Sequence, residues 1–129
     1  MIRILIADDN FRYRIWLRKL LANQSDWEIC DDAADGQQAV AHAGTFQPQV
    51  IILDVQMPVM NGFDAARLIL QTLPRTLILM QSLDREYAQL AKDCGARGFL
   101  PKDDADELLI PVISALLRGE FYFPSIPAN

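Results

Sequence analysis

Histidine is almost missing from this sequence, cysteine is scarce, and no long hydrophobic run occurs. One histidine, His42, leaves little for a Ser-His-Asp or Cys-His nucleophile to draw on. It falls in a weakly helical segment and reads as a surface residue. Two cysteines, Cys30 and Cys94, lie far apart with no CxxC or Cys/His cluster. That pattern argues against a zinc site or a disulfide framework and suits a reducing cytoplasm; both read as small buried hydrophobes. Among the six glycines neither GxGxxG nor a P-loop is spelled, so nucleotide binding has no motif to rest on. The longest apolar stretch, Leu108 to Ile113, is far below the roughly 18 residues that span a bilayer. The opening apolar run, Ile4-Leu5-Ile6-Ala7, is cut off by Asp8-Asp9, unlike a secretory signal. Positive charge is in deficit: 12 Lys and Arg face 17 Asp and Glu, a net charge of −5. This domain is therefore a poor ligand for nucleic acid or an anionic membrane.

What is present is a globular balance, 51% hydrophobic and 22% charged, in 129 residues, the size of one domain. The acidic residues are unevenly typed, thirteen Asp against four Glu. Asp is poor inside helices but favoured at caps, in turns and in oxygen-rich metal sites.

Short apolar runs alternate with helix-length segments. Strands are predicted over Ile2–Ala7, Trp27–Cys30, Val50–Leu53, Leu77–Met80 and around Phe99-Leu100. Helices are predicted over Phe11–Leu21, Gln37–Ala43, Asn61–Thr72, Glu86–Cys94 and Asp104–Arg118. Five strands alternating with five helices argue an α/β fold, a doubly wound parallel sheet covered on both faces. Pro111 falls inside the last helix and predicts a kink or a delayed start. The tail from Phe121 to Pro127 reads as an extended segment leaving the domain.

In such a sheet ligands bind outside the carboxyl ends of the strands, where strand order reverses. Two predicted strands end in Asp, the first in Asp8-Asp9 and the third in Asp54. Singly, each has an ordinary reading as a helix cap or a turn residue. If the two strands are neighbours, three carboxylates converge, and a divalent cation relieves their repulsion. Oxygen-only ligands favour Mg²⁺, or Mn²⁺, over Zn²⁺. Lys102 directly follows the fifth strand. Alone it reads as a solvated lysine; beside the carboxylates, its ammonium suits phosphoryl binding and transfer, with one carboxylate as acceptor.

At these residues the sequence resembles the receiver domain of two-component response regulators. The matching pieces are Ile4-Leu5-Ile6-Ala7-Asp8-Asp9, Leu53-Asp54-Val55-Gln56-Met57-Pro58-Val59-Met60-Asn61-Gly62 and Gly95-Ala96-Arg97-Gly98-Phe99-Leu100-Pro101-Lys102. The Gly-Ala-Arg-Gly-Phe-Leu segment and Arg118-Gly119-Glu120 resemble the LuxR-type (NarL/FixJ-like) branch. The resemblance implies a flavodoxin-like five-stranded sheet in order 2-1-3-4-5, with residues 1–120 as receiver and 121–129 as linker or tail. It implies Asp54 as phosphoacceptor from a sensor histidine kinase or phosphotransfer protein. Mg²⁺ would be held by Asp9, Asp8, Asp54 and the Gln56 carbonyl, and Lys102 would pair with the phosphoryl oxygens. Pro58 and Gly62 would shape the loop after Asp54. Phe99 has two readings, the switch aromatic of the family or an ordinary core residue.

One position does not carry over cleanly. The family ends its fourth strand in a Ser or Thr whose hydroxyl binds the phosphoryl group. Counting forward from Asp54 gives Ser82; counting back from Lys102 gives Met80, the intervening segment being about two residues short. The need for a hydroxyl favours Ser82, although Gln81 then falls where the strand is usually apolar. The resemblance further implies a cytoplasmic signalling module rather than a turnover enzyme. Phosphorylation would switch the face of the fourth helix, fifth strand and fifth helix, with homodimerisation as one outcome. Control of transcription would run through a DNA-binding domain outside this chain. Two other readings compete: a phosphate-independent docking module, and an aspartate-nucleophile phosphatase of the haloacid-dehalogenase type. The latter family expects DxDx[TV], and Asp54-Val55-Gln56 lacks the second Asp.

Overall fold

The computed structural model describes residues 1–124. Five strands, β1 (Ile2–Ala7), β2 (Trp27–Ala33), β3 (Val50–Asp54), β4 (Leu77–Ser82) and β5 (Gly98–Pro101), form one sheet in order β2-β1-β3-β4-β5. Every pairing in it is parallel. The helices are α1 (Phe11–Leu21), α2 (Gly36–Phe46), α3 (Gly62–Thr72), α4 (Ala88–Asp93) and α5 (Ala105–Leu117). The α/β fold and the 2-1-3-4-5 order are those expected from the sequence.

Alternate residues of the central strands feed two cores. Leu5, Ala7, Ile51, Leu53, Ile78, Met80 and Phe99 pack with small residues of α2, α3 and α4. Ile4, Ile6, Val50, Ile52, Leu79 and Leu100 pack with Leu17 and Leu21 of α1 and with α5. Burial on both faces explains why these strands read as unbroken apolar runs. None of the described helices is long and apolar enough to cross a membrane.

Some boundaries differ from the sequence reading. β2 does not stop at Cys30 but runs on through Asp31 and Asp32. It is an edge strand, so both carboxylates find partners outside the sheet: His42 Nδ1 lies 3.0 Å from Asp31, and the Nε of Arg14 lies 3.3 Å from Asp32. His42 is accordingly half-buried rather than a free surface residue. Cys30 is the extra residue of a bulge, since Ile4 pairs with Ile29 but Leu5 with Asp31. The fourth helix is shortened by a 3₁₀ turn over Arg85–Tyr87. α5 begins at Ala105 and continues through Pro111 without delay. Pro111 and Glu107 are both exposed, so the carbonyl deprived of its helical donor can be hydrated.

The tail also differs. Tyr122 is extended, as expected, but it does not leave the domain. Its N–H donates to the Arg97 carbonyl at 3.1 Å, and its carbonyl accepts from Phe99 N–H at 2.8 Å. It thus makes a parallel bridge beside β5 at Gly98. The Arg97 guanidinium lies 4.3 Å from the centroid of the Phe121 ring. The tail from residue 125 onward lies outside the described residues.

Candidate functional site

β1 has β2 on one side and β3 on the other, so the chain leaves β1 and β3 in the crevice where strand order reverses. Asp8 and Asp9 follow β1 directly and Asp54 ends β3. One ligand oxygen from each lies within 4.8 Å of the others. Asp8 and Asp54 are buried; Asp9 is exposed. Local bonds fix the first of these. Asn10 N–H donates to Asp8 Oδ1 at 2.8 Å, and Arg14 Nη1 donates to the Asp8 carbonyl at 2.6 Å. Neither Asp8 nor Asp9 caps α1; that role belongs to Asn10, whose side chain accepts from Tyr13 N–H.

Lys102, at the start of a 3₁₀ turn after β5, brings one cation to this rim. Its Nζ lies 2.7 Å from Asp8 Oδ2 and 3.5 Å from Asp54 Oδ1. Three carboxylates against one ammonium leave an excess of negative charge. At an effective dielectric near 20, each close carboxylate pair repels by on the order of 3–4 kcal/mol. The Asp54 carboxyl registers this: burial, and secondarily Asp8, raise its pKa from 3.8 to about 7, against the pull of Lys102. A hard divalent cation fits the donor set, which is oxygen-only, partly buried and short of positive charge.

The loop after Asp54 is tightly built. Gly62 N–H donates to the Val55 carbonyl at 2.8 Å, and a Cβ on Gly62 would stand 2.1 Å from the Asp54 carbonyl oxygen. Only glycine lets α3 start this close to the strand end. Pro58 and Met60 close a three-residue turn, with a 2.7 Å bond from Met60 N–H to the Pro58 carbonyl and Val59 at φ +70°. Gln56 supports the Asp54 carboxylate through its backbone N–H, while its side-chain amide donates to the Tyr87 hydroxyl at 3.2 Å.

β4 ends in Ser82, the residue favoured for the hydroxyl position, and its register places each of its last three residues. Met80 stands beside Leu53 and Phe99, Gln81 beside Asp54, and Ser82 beside Pro101. Met80 is buried in the core with Phe99. Ser82 Oγ accepts the Asp84 N–H at 3.0 Å, beyond the end of β3. The residue abreast of Asp54 is therefore Gln81, and its side chain reaches across the strand ends to α1, where Tyr13 donates its hydroxyl proton to Gln81 Oε1 at 2.9 Å. The Tyr13 ring centroid is 4.6 Å from Lys102 Nζ. Burial and the neighbouring Asp8 and Asp54 charges raise the Tyr13 phenol above its usual range, against its bond to Gln81.

Tyr13 and Gln81 stand beside the site, and the sequence reading gave neither a role there. A signal existed for each: Tyr13 lies one helical turn beyond Asp9, and Gln81 is a polar residue inside an apolar strand. A separate cleft of about 380 Å³, lined by residues including Pro48, Thr72, Pro74 and Arg75, lies at the opposite end of β3 and β4, away from the carboxylates.

Comparisons with known proteins agree with this geometry. Residues 4–113 match the family described as the response regulator receiver domain. An uncharacterized transcriptional regulatory protein of Bacillus subtilis, YxjL, is 37% identical over 129 residues, covering 98% of this chain and 59% of its own. A protein-glutamate methylesterase/protein-glutamine glutaminase of Methanosarcina mazei is 38% identical over 81% of this chain but only 30% of its own. The chain thus spans less than two thirds of these curated relatives. Among solved structures, a LuxR-family two-component response regulator from Aurantimonas sp. SI85-9A1 superposes with a TM-score of 0.88 at 26% identity, covering 93% of this chain and 87% of that one. With the parallel 2-1-3-4-5 sheet and the strand-end carboxylates in place, the chain belongs to the response regulator receiver domains.

Proposed function

We propose that Asp54 accepts a phosphoryl group from the phosphohistidine of a sensor kinase or phosphotransfer protein. The observation that carries this reading is the position of Lys102 between Asp8 and Asp54, 3.5 Å from an oxygen of the latter. In the transfer, an Asp54 carboxylate oxygen forms the new O–P bond as the histidine N–P bond breaks, and the neutral imidazole leaves. The nucleophile must be ionised, and a pKa near 7 in the metal-free site makes that costly at neutral pH.

Mg²⁺ is the cation that suits the site, with Asp8, Asp9, Asp54 and the Gln56 carbonyl as its protein ligands. Bound there, it would supply the positive charge that keeps Asp54 ionised and screens the phosphoryl oxygens. Lys102 then neutralises the remaining phosphoryl charge, and Pro58 and Gly62 hold the loop at the strand end. Hydrolysis of the acyl phosphate resets the site, which makes the domain a self-limiting switch rather than a turnover enzyme. Phe99 couples the site to the face formed by α4, β5 and α5, through a shift between two populated conformations. A transcriptional output in the cytoplasm, with DNA contacted by a domain outside this chain, is the reading that relatives such as the transcriptional regulatory protein of Bacillus subtilis support; homodimerisation on that face is one means of coupling.

Incubation with Mg²⁺ and acetyl phosphate tests the chemistry. The chain should gain one phosphoryl group, and Asp54→Ala should gain none. A wild-type chain that stays unmodified overturns the proposal. It would favour the docking-module reading.

A further inference from the structure

Both backbone groups of Asp8 are held from β2. Its N–H donates to the Ala33 carbonyl at 3.0 Å, and its carbonyl accepts from Arg14 Nη1 at 2.6 Å. Arg14 is in turn anchored on that strand, with its Nε 3.3 Å from Asp32 Oδ2. Asp32 lies in β2 because the strand runs on past the bulge at Cys30. One planar guanidinium thus joins the peptide between Asp8 and Asp9 to the neighbouring strand.

Two observations separate this contact from a surface ion pair. The Arg14 side chain is 12% exposed, whereas Arg18, which reaches the same carboxylate at 3.6 Å, is 42% exposed. Burying a guanidinium is unfavourable unless its donors are bonded, so its two acceptors set its place. The second observation concerns Asp9. The Asp8 carboxylate has bonds of its own, to Asn10 N–H and to Lys102. The Asp9 carboxylate is exposed, and among the described residues no hydrogen bond or ion pair holds it. Its direction is therefore set by the backbone from which it projects, and Arg14 grips the peptide on its N-terminal side.

We propose that Arg14, anchored by Asp32, is a positioning residue for the divalent cation and sets the site's preference for Mg²⁺ over Ca²⁺. It touches no ion; it fixes the Asp8-Asp9 peptide so that both carboxylates meet one metal. Selectivity follows from size. Mg²⁺ demands near-ideal octahedral geometry, whereas Ca²⁺ accepts more ligands at longer and more variable distances. A rigid backbone therefore favours the smaller ion. The inference rests on the Mg²⁺ reading of the carboxylate cluster and needs no phosphoryl transfer. The sign of the effect separates positioning from electrostatics. A cation beside an acidic cluster repels a metal ion, so its removal alone should tighten binding. Loss of a group that orients the ligands should weaken it.

The test is calorimetric titration of the intact chain with MgCl₂ and, separately, with CaCl₂. Arg14→Met keeps most of the side-chain length without charge or donors. It should weaken Mg²⁺ binding about tenfold and Ca²⁺ binding by no more than about threefold. Arg14→Lys keeps the charge without the fork and should fall between Arg14→Met and wild type. Asp32→Asn should weaken Mg²⁺ binding by a smaller factor, and should add little in the Arg14→Met background. Urea unfolding checks that each variant is folded at the titration temperature. If Arg14→Met is not, unchanged Mg²⁺ affinity in both Arg14→Lys and Asp32→Asn overturns the inference, and a loss in both supports it. If Arg14→Met is folded and binds Mg²⁺ as well as wild type or better, or loses Mg²⁺ and Ca²⁺ affinity equally, the inference fails alone. If wild type binds neither ion at millimolar concentration, the metal reading of the cluster fails and this one with it.

Discussion

The Lys102 ammonium is 2.7 Å from Asp8 Oδ2, closer than to Asp54, so the site's one lysine is paired with a carboxylate that a metal would also claim. Lysine and cation therefore compete for Asp8 while cooperating at a phosphoryl group. Lys102→Met should tighten Mg²⁺ binding several-fold by removing the competing charge, yet weaken beryllofluoride binding by about tenfold or more. Metal titration by Trp16 fluorescence reads the first effect, because Trp16 stacks on Tyr13 with centroids 5.5 Å apart. A loss of Mg²⁺ affinity in this variant contradicts the competition.

Asp54 sets a pH dependence whose sign is the reverse of a salt-bridged aspartate. Its folded-state pKa, about 7, lies above the ordinary 3.8 because burial and Asp8 disfavour the charge. The folded chain then binds the extra proton, and this group's contribution to stability, full below pH 3.8, is lost as pH rises to about 7. Asp54→Asn should therefore stabilise the metal-free protein at pH 8 by about 1–3 kcal/mol, a part of what a shift of this size represents. The gain should shrink at pH 5, and saturating Mg²⁺ at pH 8 should shrink it too. Urea unfolding at the two pH values, with and without metal, measures all three effects.

The parts of this molecule legible in its sequence are those set by local chemistry. Asp8, Asp9, Asp54 and Lys102 all sit at strand ends, where an apolar run stops, and a strand end is visible in one dimension. Gln81 and Tyr13 are different: their meaning depends on the offset between β3 and β4 and on the height of α1 above the sheet. Counting back from Lys102 gave Met80 because the segment after β4 is short, whereas the count forward from Asp54 gave Ser82, the residue in which β4 ends. Gln81, abreast of Asp54, lies between them. β2 was cut short at Cys30 for a related reason, since the Asp31-Asp32 pair looks like a turn until His42 and Arg14 are known to stand beside it.

Val59 offers a test of stored backbone strain beside the site. It is a β-branched residue at φ +70°, 74% exposed, in the turn after Pro58. The left-handed region costs such a side chain roughly 1–2 kcal/mol, with no burial to offset it. Val59→Gly relieves that cost but adds freedom to the unfolded chain, so the net gain should be modest, about 0.5–1 kcal/mol. Thermal unfolding should show a small rise in Tm with Mg²⁺ affinity unchanged; a fall would mean that the exposed side chain makes a stabilising contact.

The tail gives the last prediction. Phe99 N–H, on β5, is bonded to the Tyr122 carbonyl at 2.8 Å. β5 is an edge of the sheet, and Tyr122 covers the part of that edge at Gly98, where a Cβ would stand 3.1 Å from the Tyr122 carbonyl oxygen. Removing residues 121–129 strips this cover, together with the contact between Arg97 and the Phe121 ring. The truncated chain should lose about 1–2 kcal/mol, from two backbone bonds and a cation–π contact. More specifically, the Phe99 amide should exchange with solvent at least tenfold faster, while amides of the central strand β3 keep their relative protection. Equal acceleration at β3 and β5 would mean that the tail stabilises the whole domain evenly and has no particular hold on Phe99.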